Sequence, residues 1–237
     1  MRSLHVIRVA CAVVSVLAAI AVPVSAQAPG AWPNGTSVVE TLHNLSYAAS
    51  SDRYGPGALR NYGEVCVYCH TPHGGSNSTN APLWNRNFGP ATGAYQMYNN
   101  AWSSTIDMTV AASPQGVSLA CLSCHDGTIG LDVIVNRPNA DTTLAPKNGT
   151  MPGNGGQFFA NLGTDLRNDH PVSVTYSTTA DPAFHAPDAS NRINGELPLY
   201  SGRVECGSCH NPHNTTYPPF LRKANTSSAL CTTCHIK

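Results

Sequence analysis

Apolar positions in this chain gather into one long run, residues 9–24, and afterwards appear only in short stretches set among Gly, Ser, Thr, Asn and Pro. The run follows Arg2 and Arg8 and ends at Val24-Ser25-Ala26 ahead of Gln27, the layout of a secretory signal peptide with a small-residue cleavage site. A membrane anchor is the competing reading, but the run is short for a span and Pro29 and Gly30 soon follow. Residues 1–26 are therefore expected to be removed, and no membrane span is expected after cleavage.

Beyond the signal the patterning is faint. Ser37 and Glu40 have the spacing of a capping box opening a short helix that would carry His43, while the alternation there is equally compatible with an extended segment. Residues 131–135 and Val174-Thr175-Tyr176 read as short strands, and residues 138–156 as a loop rich in turn formers. The pattern predicts a mostly irregular chain with a few short helices and short strands.

Such a chain is poor in core-forming material, since only 11% of its residues are charged yet small and polar types dominate the rest. The cysteines change this reading. Eight of the nine fall into four Cys-x-x-Cys-His units: Cys66, Cys69 and His70; Cys121, Cys124 and His125; Cys206, Cys209 and His210; Cys231, Cys234 and His235. The ninth, Cys11, lies in the signal run, where Arg8 argues against lipidation, and should leave with it. Each unit is the attachment signature of a c-type haem: two thiols bond the porphyrin vinyl groups, and the histidine coordinates iron. A single copy could be a zinc half-site or a redox dithiol. Four copies in an exported chain point to four covalent haems, each a rigid apolar plate able to serve as core, and to a fold that collapses without them.

The units form a repeat. Cys66-Val67-Tyr68-Cys69-His70-Thr71-Pro72-His73 corresponds to Cys206-Gly207-Ser208-Cys209-His210-Asn211-Pro212-His213, and the unit at Cys121 corresponds to that at Cys231. His43-Asn44-Leu45-Ser46 and His170-Pro171-Val172-Ser173 lie upstream of each half. Residues 27–237 thus read as a single tetrahaem domain of two modules, about 27–130 and 131–237. The first module carries an insert between His73 and Cys121 with Trp84, Tyr95, Tyr98 and Trp102, expected to pack on haem or meet a neighbour.

Four irons with two histidines each require four distal ligands. His73 sits three residues from His70 and cannot reach the opposite face of the same porphyrin, so it must serve a neighbouring haem. The simplest assignment gives His73 to the haem on Cys121/Cys124 and His213 to that on Cys231/Cys234. His43 and His170 then complete the haems on Cys66/Cys69 and Cys206/Cys209. His185 is left over, and Met97 and Met108 are less favoured alternatives. Irons so saturated have no open position for a substrate, which points away from an enzyme and towards electron transfer.

Without Arg2 and Arg8, 11 of the 13 basic residues stand against 13 acidic ones, about −2 before haem propionates, which disfavours a nucleic-acid partner. The paired Cys-x-x-Cys-His-x-Pro-His and Leu-Cys-x-x-Cys-His units resemble the doubled Cys-x-x-Cys-His family of multihaem cytochromes c. The whole mature chain is similar to the tetrahaem cytochromes that polymerise into extracellular nanowires. That resemblance implies little regular structure around a continuous haem row, and a homo-polymer held by haem–haem contacts in which one axial histidine, here His43, crosses to the adjacent subunit. It also implies redox partner cytochromes, extracellular acceptors and an extracellular or cell-surface location. The alternatives are a soluble periplasmic tetrahaem carrier and, more remotely, a haem reductase subunit.

Overall fold

The computed structural model describes residues 37–89, 94–138, 145–152 and 160–236. The expected signal peptide and cleavage site and parts of the 138–156 loop lie outside these residues. Helices α1 (Leu45–Ser50), α2 (Gly116–His125), α3 (Cys206–Cys209) and α4 (Cys231–Cys234) are short, as are strands β1 (Val174–Thr175), β2 (Arg192–Ile193), β3 (Leu197–Pro198) and β4 (Arg203–Val204). Strand β1 pairs antiparallel with β4 and β2 with β3, so the only sheets among the described residues are two-stranded. The chain is mostly coil, as its patterning predicts.

Where elements form, local chemistry explains them. Ser37 accepts from the Val39 amide and starts a 3-10 turn, Val38–Glu40, which ends before His43. Asn44 then caps α1 by accepting from the Tyr47 amide at 3.0 Å, while its Nδ2 donates to the Val39 carbonyl at 2.7 Å. His43 is held between these two clamped turns. On the inner face of α1, Leu45 and Ala48 pack with Leu59, Tyr62, Tyr68, Leu131, Ile134 and Met151.

Residues 131–135 are a turn, not the expected strand. Their amides bond in three directions, Leu131 to the Gly149 carbonyl, Val133 to Gly130 and Val135 to Asn85, so no neighbouring strand can pair along them. The strand at Val174 is present, and it holds a second surprise. The Thr175 amide donates to the Thr109 carbonyl at 2.8 Å and the Ala111 amide to Ser173 at 3.0 Å. The insert of the first module therefore lies against the first strand of the second.

Apolar burial is divided among small clusters. Besides the one beneath α1, Tyr95, Met97, Leu122 and Leu166 form a second, and Ile193, Leu197 and Leu199 a third. Met97 is core here rather than a free ligand. Cys69 and Cys124 pack on the first cluster and Cys234 on the third. The cores thus end at the cysteine units.

Candidate haem sites

Each cysteine unit is wound as a helical turn. Cys66–Tyr68 is a 3-10 turn, the second unit closes α2, and the third and fourth units are α3 and α4. Positions i, i+3 and i+4 of a helical turn share a face. The His70, His210 and His235 amides bond the carbonyls of Cys66, Cys206 and Cys231 at 2.8, 3.0 and 2.9 Å, which carries each histidine onto the face of its two thiols.

Three of these histidines are also fixed in rotation and tautomer. His70 Nδ1 lies 2.7 Å from the Pro82 carbonyl, His125 Nδ1 2.7 Å from Ala160, and His210 Nδ1 2.9 Å from Pro219. A carbonyl only accepts, so Nδ1 carries the proton and Nε2 presents its lone pair. This is the arrangement by which a protein aims an imidazole at a metal and strengthens it as a ligand. Phe184 packs on His235 at 4.3 Å between ring centres, and the His185 amide donates to the Cys234 carbonyl.

The thiols of successive units are neighbours. Burial pushes Cys69 up to about 12, and the nearby Cys124 adds to the effect. Cys121 is held well above the usual thiol range first by its hydrogen bond with Cys206 and then by burial, while the same bond lowers Cys206. Burial raises Cys209 to about 11, with Cys234 the next cause. Packing agrees. Cys69 and Cys124 share the first core cluster, and α2 lies on α3.

That α2–α3 contact is polar and buried. Ser118 Oγ of α2 donates to Glu205 Oε2 at 2.5 Å and accepts from the Cys206 amide at 2.9 Å; Ser173 Oγ donates to the same carboxylate oxygen at 2.9 Å. Glu205 in turn caps α3. Arg86, fully buried behind α2, donates to the carbonyls of Ser123, Gly130 and Leu131 at 2.8, 2.9 and 2.7 Å. Asp132, equally buried, accepts from the amides of Arg60, Lys147 and Asn148. No motif marks these three residues. Their only sequence signal is that they are charges in a chain with few, and that Glu205 directly precedes Cys206.

The distal histidines do not follow the simplest assignment. His43 lies 6.1 Å from His125 between ring centres, with planes at 86°, and His213 lies 6.0 Å from His70, with planes at 26°. Two imidazole nitrogens each about 2 Å from one metal ion put ring centres roughly 6 Å apart. His213 therefore stands opposite the first unit rather than the fourth. His43 stands opposite the second unit of its own chain, not the first, and not exposed for a neighbouring subunit. Its Nδ1 is buried without a protein partner, and desolvation first, then the charges of His125, His213 and His210, lower its pKa to about 3, so the ring stays neutral. His73 and His170 are exposed, and among the described residues neither ring meets that of a unit histidine. His73 is tied through its carbonyl, which accepts from Asn136 Nδ2 at 2.8 Å, and His170 Nδ1 meets the Pro171 carbonyl at 3.0 Å.

These side chains fit haem better than zinc. Among the described residues no three His, Cys, Asp or Glu side chains converge as ligands of one ion. Buried donors without protein partners lie beside the units: Trp84 Nε1, on a ring edge-on to His70 at 5.7 Å, and Thr215 Oγ1, two residues after His213. Such donors match the carboxylates that haem carries at its rim. Residues 198–237 match the family model of the doubled CXXCH motif. The match supports a multihaem c-type cytochrome. It covers the third and fourth units and points to covalent haem binding and an electron-carrier role. No curated protein matches the chain. Among the described residues no helix is long and apolar enough to cross a membrane.

Proposed function

We propose that the chain binds four c-type haems with two histidines on each iron and passes electrons along them. The observation that carries this reading is the succession of the attachment points in the packing: Cys69 and Cys124 back onto one apolar cluster, α2 with Cys121 lies on α3 with Cys206, and α3 lies against β3, whose Leu197 shares a cluster with Cys234. Haem bound there supplies a one-electron ferric/ferrous couple. The protein's part is to fix spacing and ligand field. Nδ1–H bonds to the carbonyls of Pro82, Ala160 and Pro219 hold three imidazoles ready, small apolar clusters back Cys69, Cys124 and Cys234, and Arg86 places a positive charge behind the second unit. Two imidazoles on an iron leave no site for substrate, which favours a carrier over an enzyme.

For the assembly we propose the subunit of an extracellular cytochrome filament, on the strength of the resemblance to the polymerising tetrahaem cytochromes. His43 faces His125 within the chain, so a crossing ligand would have to be another histidine.

Maturation in a host with a haem-attachment system tests the reading. Intact mass should show four covalent haems on the chain and low-temperature electron paramagnetic resonance only low-spin ferric iron. Fewer haems, or a native high-spin signal that binds added cyanide, would overturn the saturated carrier. Electron microscopy of the same material separates filament from discrete carrier.

A further inference from the structure

The pairing of His213 with His70 has no counterpart in a chain whose modules each complete their own haems. His213 follows the third cysteine unit, yet its ring centre is 6.0 Å from that of His70, the histidine of the first. Local hydrogen bonds fix the His70 ring and the turn that carries His213. His70 is locked by the Pro82 carbonyl with Nε2 free, and Asn211 Oδ1 accepts from the His213 amide at 3.1 Å, which fixes the turn from which that ring projects. The segment around it is braced at both ends: the Asn211 amide bonds the Phe220 carbonyl at 2.7 Å, and the Phe220 ring lies 4.6 Å from His43. One segment of the second module thus reaches both histidine pairs of the first. His73, the repeat's counterpart of His213, makes no matching approach to His210 among the described residues, so the crossing runs one way.

We infer that His213 is the distal ligand of the haem on Cys66/Cys69, so that an iron of the first module is completed by the second. The inference rests on the haem reading above and adds to it the identity and direction of one ligand.

The test compares spin states in the matured four-haem protein. His213→Ala should turn about a quarter of the iron high-spin by electron paramagnetic resonance and resonance Raman, and added imidazole should return it to low-spin. In the background Cys66→Ala/Cys69→Ala, shown by mass to hold three haems, His213→Ala should add no high-spin signal. High-spin iron appearing in that background as well would assign His213 to another haem and overturn the inference, as would its absence in the four-haem variant. If His213→Ala does not mature, His213→Met keeps a ligand of similar reach. One haem should then show a methionine–iron charge-transfer band and a raised potential, and loss of that band in the three-haem background is the expected result. A wild-type chain carrying no covalent haem would instead refute the underlying haem reading.

Discussion

Arg86 shows how much of this fold depends on single polar side chains. Its guanidinium lies in the interior and answers three carbonyls at the end of α2 and in the turn after it. Each carbonyl left without a donor would cost about 1–3 kcal/mol. Arg86→Met should lower the unfolding free energy of the haem-loaded protein by about 3–5 kcal/mol in a denaturant titration. A loss below about 1 kcal/mol would mean that water or a rearranged chain satisfies those carbonyls. The four cysteine units were legible because their spacing is itself the chemistry: two thiols and an imidazole must share one helical face. The histidine pairs were not. Chain distance rules out His73 for the haem of His70, yet it says nothing about which distant loop folds back, and so His213 and His43 went to other units.

At the scale of elements, the α2–α3 contact joins the two modules through a buried carboxyl. Burial, outweighing the hydroxyl bonds from Ser118 and Ser173 and the charge of Arg203, holds Glu205 above its ordinary range. In the unfolded chain the same group loses its proton near 4.5. Above that pH, and up to the folded value, the folded state holds more protons than the unfolded, so this group's contribution to stability falls as pH rises. Glu205→Gln should therefore gain on wild type as pH is raised through this window, read from paired denaturation curves at several pH values. A constant difference across the window would show that the carboxyl titrates alike in both states. Short strands were only partly readable for a related reason. Val174-Thr175 finds β4 and the insert as partners, whereas the equally apolar residues 131–135 are wrapped around Arg86 and Asp132 and give their amides to scattered acceptors.

At the scale of the molecule, the described residues gather their apolar burial into three small clusters that end at cysteine units and do not form a continuous core. The coil class was visible in composition, and from it comes the expectation that the fold needs bound plates. The haem-free chain, made without the attachment system, should lack a cooperative thermal transition and near-ultraviolet circular dichroism; a sharp transition in that material would show that the polypeptide suffices. The reach of His213 to His70 also bears on biogenesis. On the proposed ligation, a haem attached at residues 66–70 would wait for a second imidazole that lies far towards the other end of the chain. Until His213 arrived, that iron would keep an open face, so a chain cut short before residue 213 would carry a five-coordinate haem where the whole chain carries a saturated one.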